Sequence, residues 1–196
     1  NAGHTVINDD GEFKLHLVPS GIFWPQTTAI IGTGVVVDPP QQFRELDELI
    51  SRGIDTSRLL ISDHAHVVMP YHVQLDQLEE AARGSGAIGT TGRGVGPAYV
   101  DKASRVGIRV GDLLDKDHLT SRLHSVVKQK NAILTKVYEA DPIDVDSLLE
   151  LCIEQGERLR PYVVNAEQKL SLSLAANAKV VLEGAQGTML DLDHGT

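Results

Sequence analysis

Six glycines and two threonines fall between Gly84 and Gly96. The densest part reads Gly89-Thr90-Thr91-Gly92-Arg93-Gly94-Val95-Gly96-Pro97. Glycine lets a backbone approach a ligand closely and turn successive N–H groups inward, a geometry suited to phosphate. Thr90 and Thr91 add hydroxyl donors, and Arg93 and Arg105 add guanidinium forks that match phosphate oxygens. Composition leaves a second reading open, a glycine-rich loop with its arginines solvated at the rim, because such loops often bind nothing. The stretch is not a Walker A motif: no Lys-Ser or Lys-Thr pair follows its last glycine.

The histidines offer less on pattern alone. His4 lies between Gly3 and a strand start, where an imidazole could act as a general acid near neutral pH. A histidine at a frayed terminus is the simpler reading of an isolated residue. Asp63-His64-Ala65-His66 holds two imidazoles and a carboxylate; in a strand His64 and His66 share a face, as two metal ligands could. No further His or Cys pair stands at matching spacing, which favours a solvated loop there, and Asp191-Leu192-Asp193-His194 takes the same discount. His118 and His124 fall in a helical pattern and are expected on its outside. Cys152 lies on an apolar helix face and reads as a core thiol.

These residues need a scaffold, and the pattern around them describes one. Thr5-Val6-Ile7 and Phe13 to Leu17 flank Asn8-Asp9-Asp10-Gly11 and predict a hairpin. Short apolar runs at 29–32, 35–37, 58–62 and 179–183 predict buried strands. Asp38-Pro39-Pro40-Gln41 predicts a capped helix start with Phe43, Leu46, Leu49 and Ile50 as its apolar stripe and Gly53 as its stop. Further helices are predicted from about 71 to 83, 117 to 138 and 144 to 160. Strands alternating with helices imply an α/β fold with a central, mostly parallel sheet. In such sheets ligands sit at the carboxyl ends of strands, and Gly184-Ala185-Gln186-Gly187 follows one directly.

Composition narrows the function classes. The 196 residues carry 18 Lys and Arg against 27 Asp and Glu, a formal charge of −9, with no basic run for nucleic acid or an anionic membrane. The one cysteine excludes an internal disulfide, and a reducing, cytoplasmic setting is expected. No apolar stretch approaches the length of a membrane span. The start at Asn1, without an initiator Met or a basic-then-apolar leader, is expected to lie inside a longer protein.

Asn1-Ala2-Gly3-His4-Thr5 and Leu17-Val18-Pro19-Ser20-Gly21-Ile22 resemble the opening third of the adenylosuccinate synthetase family. Gly89 to Tyr99, then Lys102, Arg105 and Gly107-Ile108-Arg109-Val110-Gly111-Asp112-Leu113, resemble its second signature, with Val95 in place of the usual isoleucine. Glu183-Gly184-Ala185-Gln186-Gly187-Thr188-Met189-Leu190-Asp191 and Asp193-His194-Gly195-Thr196 resemble a third block. The resemblance runs in order along the whole chain and is least distinctive between Asp117 and Asn177. It implies a P-loop-NTPase-like core of the adenylosuccinate synthetase type with a helical insertion, here a single partial α/β domain with a mainly helical part at about 112–177.

The resemblance also implies an activity. GTP phosphorylates the 6-oxygen of IMP, and the amine of L-aspartate then displaces that phosphate, with Mg²⁺ as cofactor. It implies His4 as general acid and Gln186 near the 6-position. Asn1, Ala2, Gly3 and His4 would line the IMP site, and Gly3, His4 and Thr5 would border the GTP phosphates. The Gly3 carbonyl would face the metal, Thr91 would hold the IMP 5′-phosphate, and Arg105 would reach the same phosphate in the partner of a homodimer. The family's catalytic Asp and GTP-binding Lys would precede Asn1, and its aspartate- and guanine-binding residues would follow Thr196. The 196 residues alone are therefore expected to be inactive. A nucleotide kinase on similar loops is disfavoured by the missing Walker A lysine. A silent IMP-binding or dimerisation module stays as the alternative.

Overall fold

The computed structural model describes residues 3–86, 89–184 and 187–190. Strand β1 (His4–Asn8) turns through Asp9 and Asp10 into β2 (Gly11–Leu15), with His4 opposite Leu15 and Asn8 opposite Gly11. The Asn8 side-chain oxygen accepts from the Asp10 amide at 3.0 Å, which closes the predicted turn. Along β2, Phe13 and Leu15 are fully buried while Glu12 and Lys14 face out, the period of two that the hairpin requires.

The chain then alternates strand and helix: β3 (Ala29–Ile31), β4 (Val36–Val37), α1 (Pro39–Ser51), β5 (Leu59–Ser62), β6 (His66–Val67) and α2 (Pro70–Arg83). After the glycine-rich loop come α3 (Val95–Ala103), α4 (Lys116–Val137), α5 (Val145–Leu159), β7 (Val163–Val164) and α6 (Ala166–Ala175). β3, β5 and β7 lie side by side and parallel, and β4 pairs with β6, also parallel. The expected α/β architecture with a mostly parallel sheet is the one found. Leu59, Ile61, Leu49, Leu119, Leu123 and Leu159 meet in one continuous aliphatic core, as the scarcity of aromatics requires. No helix among the described residues is long and apolar enough to cross a membrane.

Several elements depart from the pattern reading. Asp38 sits at the N-cap of α1, but its carboxylate makes no cap bond, and Gln41 reaches forward to Glu45 rather than back to the cap. Pro39 at the first helical position has no N–H to satisfy, which lessens the need for a side-chain cap. Ile50 is 54% exposed, and the buried face of α1 instead takes in Gln42 and Glu45. Residues 179–183 form no strand: Val181 and Leu182 are 90% and 92% exposed. Strand propensity is realised only against a partner ladder and a covering face, and no described strand pairs with this run. Conversely α3, β6, β7 and α6 carry too little apolar periodicity, or are too short, to stand out in the sequence.

Candidate functional site

The hairpin places His4 at the first position of β1. Its Nε2 lies 3.1 Å from the Val18 carbonyl and 3.7 Å from the Glu183 carboxylate. Glu183 also accepts from the Ser20 amide and hydroxyl, at 3.1 and 2.8 Å. The segments Gly3–Thr5, Val18–Ser20 and Glu183, up to 180 residues apart, thus converge on one imidazole. Of the other residues expected here, Thr5 is exposed on β1 and Gly3 is exposed just before it. Asn1, Ala2 and Gln186 lie outside the described residues.

The glycine-rich loop uses its glycines as expected. Gly89, Gly92 and Gly94 have φ of +78°, +63° and +76°. At Gly94 a Cβ would stand 2.6 Å from the Val73 amide nitrogen, so α2 backbone and loop backbone touch there. The amides of Gly89 and Thr90 both point at one oxygen of Glu80, and the Gly94 amide donates to Asp76 at 2.8 Å. The loop thus presents converging N–H donors to anionic oxygen, the property of a phosphate cradle, with carboxylates in those positions here. Thr91 is exposed beside them. Asp76 and Glu80 stand one turn apart on α2, and this i, i+4 carboxylate pair was the signal in the sequence for a helix face that meets the loop. The loop is shorter than expected, since α3 begins at Val95.

Arg105 lies elsewhere, in a cleft of about 610 Å³ shared with Lys102, Arg109, Arg122, His66 and Asp112; Thr91 does not line it. Arg105 adopts φ +63° just past the end of α3, a position that usually goes to glycine. An arginine there tolerates roughly 1 kcal/mol of left-handed backbone strain. Lys102 donates to the Thr33 carbonyl at 2.6 Å, and burial followed by the Arg109 charge lowers its pKa. His66 is buried in β6, not in a solvated loop, and opposes Arg109 across an isolated bridge. Burial first, then the charges of Lys102 and Arg109, push its pKa down to about 4, so it is neutral at pH 7.

A buried polar network joins α2, α3 and α4. Asp101 of α3 accepts from His72 Nε2 at 3.0 Å and from the Lys130 ammonium of α4. His72 Nδ1 accepts from the Met69 amide at 3.0 Å, which fixes the proton on Nε2. Burial opposes the Asp101 carboxylate, yet the bonds from His72 and Lys130 outweigh it and hold its pKa below the usual range. Burial keeps His72 neutral by lowering its pKa despite Asp101.

The remaining candidates are structural. Asp63, His64 and Glu167 bring ligand atoms within 4.8 Å of one another. His64 and Glu167 are exposed, Glu167 already accepts from Thr33, and His66 is not among them, so the paired-histidine metal reading is not met. His118 and His124 are exposed on α4 as expected. Cys152 is 1% exposed and its thiol is pushed up to about 12 by burial, which makes it a core residue. Asp191, Asp193 and His194 lie outside the described residues.

A family model described as adenylosuccinate synthetase matches residues 1–196. Adenylosuccinate synthetases of Dehalococcoides mccartyi and Bifidobacterium adolescentis are each 53% identical over all of this chain, which spans 46% of their length. The fully ligated adenylosuccinate synthetase of Plasmodium falciparum superposes with a TM-score of 0.84 at 31% identity, over 99% of this chain and 45% of that one. A match that runs from the first residue to the last and includes the hairpin, the glycine-rich loop and the basic cleft places the chain in the adenylosuccinate synthetase family.

Proposed function

We propose that the protein ligates IMP and L-aspartate to adenylosuccinate in the synthesis of purine nucleotides, using GTP, through a 6-phosphoryl-IMP intermediate. The reading rests on family membership, and one structural observation carries it: His4 stands where the first and third motif blocks meet, held by Val18 and flanked by Glu183. Glu183 and Gln186 belong to the same motif block, three residues apart in the sequence.

In this reading the 6-oxygen of IMP attacks the γ-phosphorus of GTP, and GDP leaves. His4 gives a proton to the phosphoryl oxygens as charge shifts to the leaving group. Gln186 donates toward the 6-position, where a preorganised dipole acts most strongly. Asn1, Ala2 and Gly3 border the IMP ring, and Gly3 and Thr5 border the GTP phosphates. The amine of aspartate then displaces phosphate at C6. Such transfers ask a protein for positioning and charge neutralisation above all.

Mg²⁺ takes hard oxygens, often a few from protein beside phosphates and water. Gly3 is an exposed residue, and its carbonyl is a hard oxygen of the kind the ion prefers. When bound, the ion neutralises phosphate charge. Thr91 holds the IMP 5′-phosphate, and the amides of Gly89 and Thr90, which point at Glu80 in this structure, turn to the phosphate in its place. Arg105, in a separate cleft, serves the phosphate of a second copy, so the working form is a cytoplasmic homodimer.

The test is turnover by the full-length protein, followed by absorbance with IMP, GTP, Mg²⁺ and aspartate. Omitting any one of the four abolishes the signal, and a polypeptide of these 196 residues gives none. IMP binding without turnover in the complete mixture would instead establish a silent binding module.

A further inference from the structure

We propose that Glu45 is a positioning residue for His4, acting through the backbone of residues 16–18. The inference deepens the general-acid reading of His4 and rests on it.

Glu45 lies on the inner face of α1 and is 2% exposed. Taking a carboxylate out of water costs several kcal/mol unless donors replace the water. Here four donors do so. Oε1 accepts from the His16 amide and from Gln41 Nε2, both at 2.8 Å, and Oε2 accepts from the amides of Leu17 and Val18 at 3.0 and 2.9 Å.

The reason lies in the hairpin. β2 ends at Leu15, and beyond it the chain leaves the ladder toward the turn at Ser20–Phe23. Three successive buried or half-buried amides then need acceptors, and one carboxylate from α1 supplies them. An apolar residue at 45 would pack equally well on the core but leave all three donors unmet.

Fixing three consecutive amides fixes the peptide planes up to Val18 Cα, and Pro19 restricts the one torsion that then aims the next carbonyl. That carbonyl is Val18, the acceptor 3.1 Å from His4 Nε2. A carbonyl only accepts, and the nearby Glu183 carboxylate likewise attracts a proton, so Nε2 carries hydrogen in the neutral ring. A second arm runs through His16, whose Nδ1 lies 3.6 Å from Glu45 Oε1. Its Nε2 sits 3.2 Å from where a Cβ on Gly3 would lie, so the ring backs the residue before His4. One buried carboxylate thus holds both the acceptor that orients the imidazole and the wall behind its strand.

Two measurements on the full-length protein test this. The first is the tautomer of His4 in the unmodified protein, read by nitrogen-15 NMR with labelled histidine at a pH where the ring is neutral. Nε2–H is expected; a dominant Nδ1–H form overturns the proposal without any variant. The second compares Glu45→Gln and Glu45→Asp with the unmodified protein. Glu45→Gln turns an amide toward backbone donors, and kcat falls by about 10–100-fold, the scale of a displacement near 1 Å. The His4 tautomer signal shifts while KM for IMP and GTP stays within about threefold, and Glu45→Asp, which keeps the charge, recovers part of kcat. If Glu45→Gln does not fold, Glu45→Asp carries the same two readouts. Folded variants with unchanged kcat and an unchanged His4 signal would overturn the positioning role, even where His4→Ala has abolished turnover. Full turnover in His4→Ala would instead remove the general-acid reading and leave the tautomer result to judge the backbone clamp alone.

Discussion

Replacing His4 by alanine in the full-length protein lowers kcat by about 10²–10⁴-fold, the usual contribution of a positioned general acid. At 1.36 kcal/mol per tenfold this corresponds to about 3–5 kcal/mol of transition-state stabilisation. In the general-acid reading the effect falls more on kcat than on KM, because the bond from His4 to the transferring group strengthens as charge moves to the departing GDP. The substitution removes one bond to the Val18 carbonyl and a half-buried ring, and both effects on folding are small. Steady-state kinetics with IMP and GTP varied in turn check the assignment. A raised KM with unchanged kcat would make His4 a binding residue and no more.

The largest effect on stability is expected at Asp101. Alanine there leaves the Lys130 ammonium and His72 Nε2 buried without their acceptor. Breaking one side of a buried ion pair costs about 3–5 kcal/mol. Replacing both charges, as in Asp101→Leu with Lys130→Met, costs less, because no charge is stranded. Urea unfolding of the two variants decides whether the network acts as a coupled unit. The same network sets a pH dependence. His72 and His66 both have lowered pKa values, so below about 6.5 the unfolded chain takes up protons that the native state refuses. Their contribution is therefore complete above pH 6.5 and is lost as pH falls through their folded values. Asp101, with a lowered carboxylate pKa, holds until more acid pH. The unfolding midpoint should drop steadily from pH 7 to pH 4.5.

What could be read in the sequence divides along physical lines. The hairpin was legible because Asn8 to Gly11 is turn chemistry between alternating residues, and α4 and α5 because their apolar positions recur over many turns. Helix α3 was not, since Val95-Gly96-Pro97 looks like loop, although a proline in the first turn loses no helix bond. The strand read at 179–183 was a propensity without a partner. The glycine-rich loop was legible as a type of chemistry, but not its contact with Asp76 and Glu80, which depends on how α2 approaches it. Glu45 was the least visible. A glutamate on a helix reads as a solvated face, and only the folded backbone of residues 16–18 shows why it lies inside.

The central claim is that the 6-oxygen of IMP accepts the phosphoryl group and leaves with it. The direct measurement supplies the full-length protein with IMP carrying oxygen-18 at position 6, together with unlabelled GTP, Mg²⁺ and aspartate. Mass spectrometry of the inorganic phosphate formed then follows the label. Oxygen-18 in the phosphate, one atom for each adenylosuccinate made, is the predicted result. Unlabelled phosphate alongside adenylosuccinate would contradict it, since the oxygen lost from C6 would then have left without passing to phosphorus.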